Sequence, residues 1–312
     1  MEFGLILSEQ VAVIFLLLLS GMILYQTKLI NAEGAGQMTN VLLYLVAPLL
    51  ILDTYQMEYQ PEVAQNMLFG FLISLFSFAI AIGLSRLALF RGKTETVPTE
   101  RFAICFTNCG FMAIPLVDAV FGSMGVLYCT TYLTIFNLLL WTFGLRLMVG
   151  KKPEQQCWKS RLRQLLSPTM LCVALGIILY FGRIRLPETV GRAVSFLASM
   201  NTPLAMLVAG VNIARSGLPA ALKQPRVYYV MGLKCFLVPL VTMAFFALLP
   251  LDQTLLLSIL ISSACPTAAN TIMFAGRFGG DEARASQLFA VTTLVSIVSM
   301  PLIIVLADRV FS

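Results

Sequence analysis

The feature that most constrains this chain is a succession of apolar runs, each about as long as a bilayer is thick, that fills it from end to end. A helix needs ~20 apolar residues to cross the hydrocarbon core. We read such runs at roughly 8–30, 36–57, 67–90, 101–121, 125–148, 166–182, 188–214, 226–249, 253–276 and 284–307. Hydrophobic residues make up 59% of the chain and charged residues 12%, against about 25% charged in soluble domains. The runs are continuous rather than alternating, which excludes a β-barrel. The expectation is an all-α polytopic membrane protein without a sizeable soluble domain. The first run, Val11–Leu24, follows Glu2 and Glu9 and lacks a basic n-region, so it reads as a retained span rather than a signal peptide.

The charges alternate between the ends of the runs. Lys28, Arg86, Arg91, Lys93, Arg101, Arg146, Lys151, Lys152, Lys159, Arg161, Arg163, Arg215, Lys223, Arg226, Arg277 and Arg284 fall on one side, 16 of the 21 basic residues. The positive-inside rule makes that side cytoplasmic and puts both termini outside, in the inner (plasma) membrane of a cell. Arg183, Arg185 and Arg192 run against the rule. The net charge of +6 is therefore a topology signal and not a nucleic-acid footprint. The longest connection, around Gly150–Leu165, is basic and is expected to form a surface helix.

Histidine is absent, which removes the usual metal ligand and proton shuttle. The seven cysteines form no CxxC pair, and all but Cys157 lie in apolar runs, where they read as small hydrophobes. With no Ser–His or Cys–His arrangement and no paired acids within a run, an enzyme is not expected, nor a metal or other cofactor.

Two runs are interrupted in the middle. "TNCGFMAIPL" at Thr107–Leu116 carries Asn108, Gly110 and Pro115, and "SSACPTAANTIMFAG" at Ser262–Gly276 carries Pro266, Thr267, Asn270 and Thr271. Proline removes a backbone donor and clashes with the preceding turn. In lipid, a break of this kind is tolerated only against protein or a water-filled cavity. Interrupted spans at matching places in two halves point to a secondary transporter's binding site. The halves also repeat. "GMILYQTK" at Gly21–Lys28 resembles "GIILYFGR" at Gly176–Arg183; Pro48 matches Pro203 at the same offset; Pro115 matches Pro266. Five spans per half is an odd number, so the halves, 1–150 and 151–312, are expected to be inverted repeats with broken crossover helices 4 and 9.

Helix N-termini at two such breaks would carry partial positive charge and unpaired N–H groups, which suit an anion. The carboxamides of Asn108 and Asn270 can bind ligand or cap the breaks. Asn201, Thr202 and Pro203 interrupt span 7 and could form a second wall or a plain kink. Lys234 is the basic residue well inside an apolar run; it either snorkels or pairs, with Asp118 as the candidate partner. Asn137 reads as an interhelical hydrogen bond.

These motifs resemble those of the auxin efflux carrier family. "NCGFMAIPLVDAVFG" at Asn108–Gly122 is similar to its fourth-helix motif. "ACPTAANTIMFAGRFGGDEARASQL" at Ala264–Leu288 is similar to its ninth, in the bacterial form. "KCFLVP" at Lys234–Pro239 and "NTPLAMLVAG" at Asn201–Gly210 resemble the eighth and seventh. The resemblance implies ten helices in two inverted repeats and a scaffold from helices 1, 2, 6 and 7. It also implies a mobile domain from helices 3–5 and 8–10 and elevator-like transport of organic anions such as auxins, malate and other carboxylates. The acidic–basic pair that plant members carry on helix 3 is absent; Ser74 and Ser77 stand in that region. The expectation is a carrier of small organic anions, with Asn108, Gly110, Pro115, Pro266, Thr267, Asn270, Asn201 and Thr202 at the substrate site and Lys234 and Asp118 in charge coupling. A proton or sodium ion would drive it, and a homodimer is admissible. A sodium-coupled symporter of the bile-acid type and a ligand sensor that does not translocate remain alternatives.

Overall fold

The computed structural model describes residues 2–89, 95–149 and 168–311, with side chains from Glu9 onward. Among these residues every regular element is a helix: α1 (Glu2–Gln26), α2 (Ala32–Val41), α3 (Ala47–Thr54), α4 (Pro61–Ala88), α5 (Val97–Cys105), α6 (Ile114–Leu139), α7 (Leu145–Val149), α8 (Pro168–Phe181), α9 (Glu188–Ser199), α10 (Asn201–Arg215), α11 (Leu218–Ala221), α12 (Pro225–Gly232), α13 (Val238–Phe246), α14 (Gln253–Ala264), α15 (Asn270–Phe278) and α16 (Glu282–Phe311). The surface helix expected around Gly150–Leu165 lies outside the described residues, as do Arg91 and Lys93.

Among the described residues, seven helical stretches are long and apolar enough to cross a membrane, and two shorter apolar helices accompany them, Pro168–Phe181 and Gln253–Ala264. One of the seven, Cys109–Val149, has 41 residues. At ~1.5 Å per residue that is about twice the ~30 Å of a hydrocarbon core. Gly122 interrupts it with φ 60° and ψ −157°, a conformation that glycine reaches without a Cβ clash. Large apolar side chains such as Leu16, Leu68, Ile178 and Val298 are more than half exposed, as befits a surface that meets lipid.

The prolines leave a regular mark. Among the described residues four π-helical segments occur, at Leu42–Val46, Cys109–Ala113, Leu140–Gly144 and Leu233–Leu237. Three of them end two residues before a proline: Pro48, Pro115 and Pro239. A proline ring pushes on the carbonyl four residues back, here at Tyr44, Phe111 and Cys235, each inside a π segment. Widening the helix there absorbs the clash without a full break.

The helices pack in two groups. α1 lies along α10, and α3 packs on α8 and α9. Gly21 and Gly210 let α1 and α10 meet backbone to backbone: a Cβ on Gly21 would strike Leu207 O, and one on Gly210 would strike Leu18 O. Gly176 of α8 lies under the Tyr55 ring. Small residues at helix interfaces serve this purpose in membranes, where no hydrophobic force joins helices. In the second group α4 packs on α5, α6, α13 and α14, and α15 on α16. Rings fill its centre: Phe78–Tyr132 at 4.8 Å, Phe102–Phe106 at 4.5 Å and Phe102–Phe274 at 5.2 Å. α1 contacts α6 and α16 across the groups.

Lys28 and Arg183 are the non-glycine residues with positive φ among those described, at 61° and 55°. They occupy matching places in the repeated octapeptides. Each follows a helix C-terminus with the same two bonds, Thr27 N to Ile23 O and Lys28 N to Tyr25 O in one, Gly182 N to Ile178 O and Arg183 N to Tyr180 O in the other.

Candidate functional site

The two interrupted runs meet. α5 ends at Cys105 and the chain runs extended through Phe106 before helix resumes at Cys109. α14 ends at Ala264, and α15 begins at Asn270. Between these ends Thr107 and Thr267 form an antiparallel bridge. Asn108 N donates to Pro266 O at 2.8 Å, and Ala268 N donates to Phe106 O at 3.0 Å. Each break thus supplies the partners that the other lost, which meets the requirement that backbone at membrane depth be satisfied within the protein.

Side chains fix the crossing. The Thr267 hydroxyl donates to Ala103 O at 3.1 Å, and Thr267 N donates to the Thr292 hydroxyl at 3.1 Å. Thr267 is fully buried, and both of these bonds go to the protein around the crossing. Pro115 and Pro266 act likewise through the backbone. Pro115 O accepts from Gln10 Nε2 of α1 at 3.4 Å, and Pro266 O belongs to the bridge.

Beside the crossing lie two cavities of about 70 and 180 Å³ that share lining residues, here called two lobes. Leu43, Asn108, Phe111, Ala269 and Asn270 line both lobes; Gly110 lines the smaller and Asn212 the larger. Asn108 is buried, and its Nδ2 has no protein partner. Asn201 Nδ2 donates to Gly110 O at 3.4 Å, and its Oδ1 is also buried without a partner. Asn108, Gly110 and Asn270 are thus brought together, and Asn201 supports them from α10. Thr202, half-buried on α10, lines neither lobe. Asn137 lines the smaller lobe, yet its Nδ2 donates to Leu133 O on its own helix at 2.8 Å, not across helices.

The helix that begins at Cys109 and the N-terminus of α15 both start at this cavity. Each presents N–H groups without intrahelical partners and a partial positive charge. Over residues 6–304 the sequence matches a family model described as membrane transport protein. The chain belongs to that family, the auxin efflux carrier family. It also shares 24% identity over 230 residues with the uncharacterized transporter MJ1031 of Methanocaldococcus jannaschii, covering 69% of this chain and 70% of that protein. Membership makes the protein a multi-pass membrane transporter.

Lys234 neither snorkels nor pairs with Asp118. It is fully buried, and its ammonium donates to Ile104 O at 3.2 Å. That carbonyl lies in the last turn of α5, where carbonyls lack intrahelical partners and the helix end is partly negative. Asp118 is exposed on α6, and no ion pair joins it to Lys234 among the described residues. Ser74 and Ser77 are buried on α4.

Sequence reasoning missed Glu100. This carboxylate is fully buried on α5 and takes a two-pronged bond from Arg226 of α12, with Nε at 2.7 Å from Oε1 and Nη2 at 2.7 Å from Oε2. Arg284 of α16 lies 3.7 Å away. Thr99 accepts from Asp281 N at 3.0 Å beside it. The cluster ties the ends of α5, α12 and α16, and Lys234 holds α5 at its other end. A glutamate beside the basic residues Arg86–Arg101 was the available signal; its partners, more than a hundred residues away, gave none.

Proposed function

We propose that the protein is a secondary transporter of small organic anions, with the carboxylate seated at the crossing between Asn108 and Asn270. The observation that carries the reading is the antiparallel pairing of the two breaks, which aims two helix N-termini and two carboxamides into one cavity. Among the described residues no arginine lines that cavity, so positive potential comes from helix ends and from Lys234 behind α5. This suggests affinity from micromolar to millimolar, or about 4–8 kcal/mol.

Motion of the elevator kind has its support in the two packing groups. α1–α3 and α8–α10 would be the scaffold, and α4–α7 and α12–α16 the moving block, which the aromatic cluster and the Glu100 and Lys234 contacts hold together. Ten spans in inverted repeats follow if Gly122 separates two crossings and each broken pair counts as one. The shared geometry at Lys28 and Arg183 supports that arrangement. The charge asymmetry puts the termini outside, and a proton or sodium gradient would drive the cycle; uptake with and without sodium separates these.

The test is equilibrium binding of a carboxylate and its matching primary amide to purified protein. The acid should bind at least tenfold tighter, and Asn108→Ala or Asn270→Ala should each weaken it by about 1–3 kcal/mol, the effect of deleting one partner of a buried hydrogen bond. Equal binding of acid and amide would remove the anion site.

A further inference from the structure

A second pocket, of about 320 Å³, lies where the end of α3 meets the end of α8. Tyr55, Tyr59 and Tyr180 form its aromatic wall, and Arg183 and Arg185 line it together with Glu58. The charge asymmetry assigns this face to the outside. The arginines are those that defy the positive-inside rule, and the crossing gives them no role. A cation retained against the topological preference needs another reason to be there.

The local geometry supplies one. Arg183 stands at φ 55° just past the end of α8, in the helix-end turn that Lys28 shares at φ 61° past α1. Its guanidinium carbon lies 4.7 Å from the centre of the Tyr59 ring. Tyr59 in turn packs on Tyr180 at 5.3 Å and on Phe181 at 6.1 Å. No carboxylate pairs with Arg183 or Arg185 among the described residues. Gln56 Oε1 accepts from Leu186 N at 2.7 Å, which holds the arginine-bearing loop against α3, and Gln56 Nε2 is buried without a partner. The pocket therefore combines a wall of mutually tilted aromatic rings with two guanidinium groups that have no carboxylate partner among the described residues, the planar fork that the crossing lacks and that suits carboxylates.

We propose that this pocket is a second anion subsite, which takes the carboxylate of a small organic acid with an apolar body before or after it visits the crossing. It rests on the organic-anion reading for the ligand class. Its position fits an antechamber. Ile51 lines the crossing cavity and Tyr55 lines this pocket, four residues apart, or about 6 Å along α3. Tyr55 also shares a 2.9 Å hydroxyl contact with Thr130 of α6, so the pocket wall touches the proposed moving block. A phosphate headgroup from the outer leaflet presents the same anionic chemistry, and the experiment separates the two sources.

Purified protein is placed in nanodiscs of neutral phosphatidylcholine, and binding of labelled benzoate is measured at low and high salt. The double variant Arg183→Gln/Arg185→Gln changes exposed side chains, and its thermal unfolding reports whether it folds as wild type does. Loss of a salt-sensitive benzoate component in that variant, with affinity falling about tenfold or more, supports the subsite, provided Asn270→Ala keeps that component. Unchanged benzoate binding in the arginine variant overturns it. So does loss of the same component in both variants, which would place all binding at the crossing. No arginine-dependent benzoate binding in neutral discs, together with arginine-dependent retention of phosphatidylglycerol in mixed discs, would assign the pocket to lipid and overturn it as well. A subsite that persists while Asn270→Ala leaves transport untouched would instead fault the reading of the crossing.

Discussion

Replacing Lys234 with methionine separates two roles that the lysine plays. The ammonium is fully buried and bonded to Ile104 O, so its removal leaves a carbonyl at the end of α5 unpaired. An unsatisfied buried group costs about 1–3 kcal/mol, and methionine recovers part of this because a buried charge no longer has to be kept out of water. The stability loss should therefore stay near 1–3 kcal/mol, below the ~3–5 kcal/mol of a broken buried ion pair. The second role is electrostatic. Ile104 and Asn108 are separated by one helical step and three steps of extended chain, at most about 11 Å; with the ammonium 3.2 Å from Ile104 O, it sits on the order of 10 Å from a carboxylate at the crossing. At an effective dielectric of about 20, that separation is worth roughly 1.7 kcal/mol, or somewhat more than tenfold in affinity. Lys234→Met should thus fold with a modestly lower melting temperature yet bind a carboxylate about tenfold more weakly, while its weak binding of the amide stays unchanged. Lys234→Arg should recover part of the affinity. Wild-type carboxylate affinity in a folded methionine variant would refute the electrostatic reasoning.

Further outcomes follow from the same contacts. Glu100→Gln leaves Arg226 and Arg284 without their carboxylate and should cost about 3 kcal/mol, the low end for a buried pair because Arg226 is 35% exposed; thermal unfolding in detergent checks it, and an unchanged midpoint would make the cluster dispensable. Thr267→Val keeps the shape but leaves Ala103 O without its donor, so stability should fall by about 1–3 kcal/mol. Cysteines at Tyr55 and Thr130, whose hydroxyls are 2.9 Å apart, joined by a short bifunctional thiol reagent in a background without native thiols, should stop transport and leave binding largely intact; undiminished uptake would exclude movement of α6 past α3. Impermeant thiol labelling should reach a cysteine at Gln60 from outside and one at Lys223 from inside, and labelling of both from the same side would change the span count.

The breaks were legible in the sequence because proline and glycine announce them locally, and polar residues cannot sit mid-span without a reason. Their reciprocal hydrogen bonding was not, since Thr107 and Thr267 pair across 160 residues and no local pattern encodes the register. The π segments before Pro48, Pro115 and Pro239 escaped for a related reason: a proline announces strain, but tertiary packing decides whether the helix widens or opens. Thr267 looked like a ligand residue from its type and place, yet both its polar groups are spent on the fold. Lys234 was rightly marked as unusual, but its partner is a helix-end carbonyl, and composition carries no trace of a backbone acceptor. Glu100 was hidden beside a run of basic residues until α12 and α16 brought Arg226 and Arg284 to it.

The most direct test is counterflow in proteoliposomes. Vesicles loaded with an unlabelled carboxylate that binds the purified protein are diluted into the labelled acid, for wild type and for Asn108→Ala/Asn270→Ala. The account predicts rapid accumulation of label by wild type, competition by the acid but not by its amide, and loss of exchange in the folded double variant. A wild-type protein that binds the acid yet exchanges none, or a double variant that exchanges as wild type does, would contradict it.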